Sequence, residues 1–122
     1  MAATIALTLY KPGVILWANE GDSRIYARGK HGITQVSIND IPARLWSSSK
    51  ITQCLAGNYS NTSKPHPGCL TIEHISQISI FSKGVTDFLD DDYLNRIIAG
   101  IGKVPAKELC DAAANAGSHD DC

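Results

Sequence analysis

The sequence predicts an α+β fold, with short strands first and helices last. Two observations carry this. Up to Phe81 the chain is a series of short β-branched, apolar runs broken by Gly, Pro and Asn, the pattern of strands and turns. Beyond Gly84 the apolar residues recur at roughly three- and four-residue spacing, the period of a helix that buries one face.

Thr4 to Leu9 and Val14 to Ala18 read as the first two strands, with Lys11-Pro12-Gly13 as the hairpin turn between them. Ile25 to Arg28 and Ile33 to Ser37 repeat the pattern around a turn from Gly29 to Gly32. The four are expected to form an antiparallel meander over one core. From Asp40 to about Gly57 the pattern is mixed, and residues 57–68 read as a polar, breaker-rich loop. Leu70 to Ile72 and Ile75 to Phe81 then read as strands. Leu89, Leu94, Ile97, Ile98 and Ile101 mark a helix that starts near Asp90, Asp91 and Asp92, where the helix dipole favours acidic residues. Gly100 and Gly102 are its expected end. Pro105 opens a second helix at its first turn, with Leu109, Ala112, Ala113 and Ala116 on one face and Gly117 as the stop.

The chain of 122 residues is one domain at most. Its 11 basic and 12 acidic side chains leave a net charge of -1, so no positive excess exists to grip a nucleic-acid backbone. Acid gathers in the last third (Asp87, Asp90, Asp91, Asp92, Asp111, Asp120, Asp121) and reads first as a solvated face. No apolar run approaches the ~18 residues of a membrane span, and no basic segment precedes an apolar one at the N-terminus. Cys54, Cys69, Cys110 and Cys122 form no C-x-x-C pair. They are expected as buried free thiols in a cytoplasmic protein. His31, His66, His74 and His119 lack zinc-ligand spacing and read as surface or turn residues. No activating base is identifiable for Cys54 or Cys110. Trp17 is expected in the core.

Three segments carry candidate chemistry: Ala18-Asn19-Glu20-Gly21-Asp22-Ser23-Arg24-Ile25-Tyr26, Ser82-Lys83-Gly84-Val85-Thr86-Asp87, and Gly117-Ser118-His119-Asp120-Asp121. Each sets an Asp beside a Gly at the end of an expected strand or helix. Carboxylates so placed can converge on a hard divalent cation, which takes oxygen ligands. Taken singly each is weak, because Asp and Gly are common turn residues.

Together, in order and spacing, they resemble the type 2C (metal-dependent) serine/threonine protein phosphatases. Ala18 to Tyr26 contains that family's A-N-x-G-D-S-R-x-Y, Ile51 to Gly57 is similar to its I-T-R-x-L-G-G, Ser82 to Asp87 to its S-D-G-x-x-D, and Gly117 to Asp121 to its G-S-x-D-N. Gly32 to Ser37 resembles its intervening strand. The resemblance covers essentially all of residues 1–122 and implies an α+β antiparallel β-sandwich flanked by helices. It also implies Mg²⁺ or Mn²⁺, a phosphoserine or phosphothreonine protein as substrate, and a metal-bridging water as nucleophile. By position Asp120 matches a ligand of the binuclear centre, and Asp22 and Asp87 match carboxylates of a further, weaker metal.

Several departures accompany the matches. Lys83 stands where the S-D-G aspartate binds metal, and Asp40-Ile41 where the family has D-H. The family's D-G-x-G-G stretch, its phosphate-binding arginine and its closing strand have no counterpart here, so the expectation is an incomplete domain without turnover of its own. Metal binding by this chain stays open. If the three aspartates converge, Lys83 is placed to take over part of a cation's structural work, the alternative being a side chain in solvent. Three functional readings follow: a piece of a working phosphatase, a pseudophosphatase that binds a partner or phosphoprotein, and a half-domain that associates through exposed sheet edges.

Overall fold

Two separate hairpins, not one meander, make up the first forty residues. The computed structural model describes residues 2–40, 55–56, 64–99 and 106–120. A two-residue strand β1 (Ala2–Ala3) is followed by β2 (Ile5–Lys11) and β3 (Val14–Glu20). Pro12-Gly13 closes this first hairpin, with Lys11 opposite Val14 and Gly13 at φ 85. The second hairpin joins β4 (Arg24–Gly29) to β5 (Gly32–Gln35) through Lys30-His31, with Gly32 at φ 115. Positive φ is nearly free for glycine and costly for other residues, which is why these two turns close where the sequence places glycine.

The expected β3–β4 pairing is absent because the chain changes sheets at Gly21-Asp22-Ser23. Among the described residues one sheet has the order β2-β3-β7 and the other β5-β4-β8, both antiparallel. Here β7 is His66–Thr71 and β8 is Gln77–Phe81, while β6 (Leu55–Ala56) pairs with β1. Strand β7 corrects the loop expected to run to residue 68. Pro67 is tolerated because β7 lies at a sheet edge. Gly68 is required by packing: a Cβ there would run into the Trp17 indole on the neighbouring strand. Trp17 is thus half-buried over β7 and is not a core residue. Ile72–His74 form a 3₁₀ turn that separates β7 from β8.

Three helices follow: α1 (Lys83–Thr86), α2 (Asp91–Ala99) and α3 (Ala106–Asn115). The core lies between β4, β8 and these helices: Tyr26, Phe81, Val85, Leu89, Leu94, Ile98, Leu109 and Ala113 are all buried together. Leu94 and Ile98 are spaced i, i+4 on α2, as the periodicity predicts, and each such side chain contributes about 1.5–3 kcal/mol by burial. The Tyr26 and Phe81 rings pack 5.7 Å apart, centre to centre, across β4 and β8. Arg28 reaches from β4 to the end of α2, donating to the carbonyls of Ile98 (2.9 Å) and Ala99 (3.4 Å). Gly117 stops α3 as expected, at φ 103. Its N–H donates to Ala114 O and that of Ser118 to Ala113 O, each at 3.0 Å, the two bonds of a glycine-ended helix.

The first sheet is less covered. Leu7, Leu9 and Tyr10 of edge strand β2 are 53%, 55% and 70% exposed, so this edge presents apolar surface and unpaired backbone groups among the described residues. Cys69 is an exposed free thiol on β7, not a buried one, because alternation along that strand turns it outward. No described helix is long and apolar enough to cross a membrane. The Ile51 to Gly57 motif (apart from the backbone of 55–56), Gly100, Gly102, Pro105, Cys54 and Cys122 lie outside the described residues.

The crossover should tolerate no side chain at its first position. Gly21 has φ 100, and a Cβ there would overlap the Thr4 side chain. Left-handed backbone alone costs an L-residue roughly 1–2 kcal/mol. Gly21→Ala is therefore expected to lower stability by about 2 kcal/mol or more in urea unfolding. An unchanged midpoint would show that the turn does not need this geometry.

Candidate functional site

The site grows from the place where the chain leaves one sheet for the other. Gly21 N–H donates to Asp40 Oδ2 at 2.8 Å, and Asp40 N–H returns a bond to Gly21 O at 3.0 Å. Asp40 Oδ1 is bonded in turn to His66 Nε2 at 2.8 Å. Asn19 exchanges two bonds with the backbone of Ile38, and Thr4 Oγ1 meets Ser23 Oγ at 3.0 Å. With both flanks fixed, Asp22 is held 7% exposed at the end of the turn.

The second wall comes from β8. Register places Phe81 opposite Arg24, so the residues that follow, Ser82 and Lys83, emerge beside the crossover. Lys83 opens α1, and Asp87 follows one turn later on the same face. The result is a row of alternating charge. Lys83 Nζ lies 3.5 Å from Asp22 Oδ2 and 3.8 Å from Asp87 Oδ2, and Arg24 Nη2 lies 3.9 Å from Asp87 Oδ1. Lys83 is not a solvated side chain: it is 25% exposed and engaged on both sides.

Two residues along β4 the row continues. Tyr26, 1% exposed, donates its hydroxyl to Asp91 Oδ1 at 2.9 Å, just where α2 starts. Burial pushes the Tyr26 phenol above its ordinary value of 10.0. The Arg24 hydrogen bond opposes that shift and Asp91 reinforces it.

The structure thus brings Asp22 and Asp87 together around Lys83. Asp120 lies exposed past the end of α3, two residues beyond buried Ser118. Among the described residues no three of His, Cys, Asp and Glu form a group able to hold a metal ion. This donor set does not fit a divalent cation between Asp22 and Asp87. A hard ion there needs about six oxygens, and an ammonium stands in the gap.

Arg24, Tyr26, Asp91 and His66 are site residues to which the sequence reading gave no role, and Asp40 stood there only as the counterpart of the family's D-H. Arg24 was within the first motif and offered a signal. His66 offered none, because its strand was hidden by Pro67 and Gly68. Some polar atoms nearby stay unsatisfied. Both Glu20 carboxylate oxygens, Arg24 Nε, Thr86 Oγ1 and Ser118 Oγ are buried without a hydrogen-bond partner among the described residues, and Glu20 is fully buried.

The chain superposes over 96% of its length on the serine/threonine phosphatase Stp1 from Staphylococcus aureus, at TM-score 0.81 and 19% identity, covering 52% of that chain. The Mycobacterium tuberculosis serine/threonine phosphatase PstP/Ppp gives 0.77 and 20%, and the S. agalactiae serine/threonine phosphatase 0.74 and 17%. Each is matched by 96% of this chain and is covered over 55% of its own. No family model and no curated protein sequence matches. The chain has the fold of these phosphatases and spans about half their length. At the level of fold, the resemblance carried by the motifs holds.

Two variants test the electrostatics described here. The Tyr26 phenol titrates higher folded than unfolded, so it stabilises the fold below pH 10 and that stability is lost as pH rises above 10. Tyr26→Phe should flatten the alkaline fall in stability above pH 10 relative to the parent chain. Equal slopes would deny the shift. Glu20→Leu removes a buried, unpaired carboxyl and is expected to raise stability by about 1–3 kcal/mol in denaturant titration. A loss would mean that Glu20 has a partner.

Proposed function

We propose that this chain is part of a type 2C serine/threonine protein phosphatase domain and that it does not hydrolyse phosphoesters by itself. Structural likeness along 96% of the chain supports the first half of this reading. A single observation carries the second: Lys83 fills the position between Asp22 and Asp87. Divalent ions in phosphoester hydrolysis supply the nucleophile and neutralise phosphoryl oxygens. An ammonium can do the second in part and the first not at all.

The same observation favours a second reading, a pseudophosphatase that engages a phosphoserine or phosphothreonine protein without turnover. Fold alone does not decide between them, since one fold serves many chemistries. The exposed Cys69 thiol supports a reducing, cytoplasmic setting. The apolar β2 edge supports association with another sheet edge, of this chain or of a partner.

Hydrolysis of p-nitrophenyl phosphate and of a phosphothreonine peptide, with and without Mn²⁺, tests the proposal. No metal-stimulated turnover is expected from these residues. Fluorescence anisotropy of the same peptide separates the two readings: saturable, phosphate-dependent binding supports the pseudophosphatase, and its absence supports the inactive piece. Robust Mn²⁺-dependent turnover overturns both.

A further inference from the structure

The four side chains of the ion-pair row add to zero charge without any ion. Asp22 and Asp87 bring two negative charges, Lys83 and Arg24 two positive, and they alternate in the order Asp22, Lys83, Asp87, Arg24. The four side chains come from different places: Asp22 from the β3–β4 crossover, Arg24 from the start of β4, and Lys83 and Asp87 from α1 and its end. Two residues along β4 from Arg24, the Tyr26 hydroxyl is tied to Asp91 at the start of α2.

We propose that Lys83, backed by Arg24, is a built-in counter-ion that fastens α1 to the crossover, so that this lobe holds its shape without a divalent cation. Two features support this over an incidental surface pair. First, the acceptor Asp22 is 9% exposed at its side chain and Lys83 only 25%, so solvent does not compete freely for either charge. Second, Lys83 is shared between two carboxylates from two segments. Removing it leaves Asp22 and Asp87 with only Arg24, which reaches Asp87 alone among the ion pairs of the described residues. Like charges left close together in a half-buried site destabilise it. A divalent ion entering the intact site would meet two cations and give it a net charge of +2, which disfavours binding.

The inference rests on the reading of this place as a displaced cation position, yet it concerns stability and can fail separately. Replacing Lys83 by aspartate reverses the charge balance: three carboxylates at 22, 83 and 87 would face Arg24 alone. Such an oxygen-rich cluster is what Mg²⁺ or Mn²⁺ selects, and an ion that binds only the folded state raises stability by mass action.

Thermal unfolding of the full chain by circular dichroism, in EDTA and in millimolar Mn²⁺, reads the outcome. The parent chain is expected to melt at the same temperature in both. Lys83→Met, which keeps the length of the side chain without its charge, should melt about 5 °C lower, and Lys83→Arg should keep most of the parent's stability. Lys83→Asp should melt lowest in EDTA and regain several degrees in Mn²⁺. A parent chain stabilised saturably by Mn²⁺ overturns the proposal even if no variant folds. So does Lys83→Met melting with the parent, or Lys83→Asp indifferent to Mn²⁺. A parent chain that melts alike in EDTA and Mn²⁺ but hydrolyses phosphopeptide with Mn²⁺ would sink the functional reading and leave this one standing.

Discussion

The fold turns on one carboxylate. Asp40 is 4% exposed and holds the Gly21 turn from both directions, its side chain taking the turn's N–H while its own N–H meets the turn's carbonyl. That pairing sends the chain from the first sheet into the second, where a simple hairpin would have kept it in one. His66, from a strand far along the chain, occupies the remaining carboxylate oxygen. The exit of Asp22 and the start of β4 at Arg24 lie directly beyond this clasp. A backbone hydrogen bond to a carboxylate is among the stronger ones available, and here it holds the turn.

What that direction creates is a place where opposite charges meet at modest distances. Separations of 3.5–3.9 Å are ion-pair contacts longer than good hydrogen bonds. An exposed pair of this kind is worth about 0–1 kcal/mol. Partial burial strengthens the attraction but also charges a desolvation cost. The alternating row reduces that cost, because each charge except the end ones has an opposite neighbour on either side. Glu20, buried beside the same turn with no hydrogen-bond partner among the described residues, shows the opposite case.

Much of this was legible in the sequence, and the failures are physical. The helical period exposed Leu94 and Ile98, and Gly117 marked the end of α3, because period and φ are local properties. Gly21-Asp22-Ser23 looked like a hairpin connection since turn chemistry does not report which sheet receives the next strand. His66–Thr71 was hidden because Pro67 and Gly68 break strands on average. At an edge, and beneath the Trp17 ring, the same two residues fit. Lys83 was visible as an anomaly within a motif. Its partners Asp22 and Asp87 stood at motif positions, and so did Arg24, but the register that sets Arg24 opposite Phe81 is what brings it beside Asp87.

The structural likeness and the site point in different directions, and chemistry ranks them. A shared fold at 17–20% identity fixes where strands and helices run, but catalytic power belongs to particular atoms. Hydrolysis of a phosphate ester needs a nucleophile generated near neutral pH and positive charge placed on the departing phosphoryl group. At the crossover the chain supplies positive charge from Lys83 and Arg24 and consumes it at once on Asp22 and Asp87. Those cations are already paired with carboxylates, and an ammonium or a guanidinium is not the metal-bound source of hydroxide on which two-metal hydrolysis relies. On the proposed reading, the same pairing that makes the row self-sufficient in charge leaves it poorly suited to gathering the divalent ions that such hydrolysis draws on.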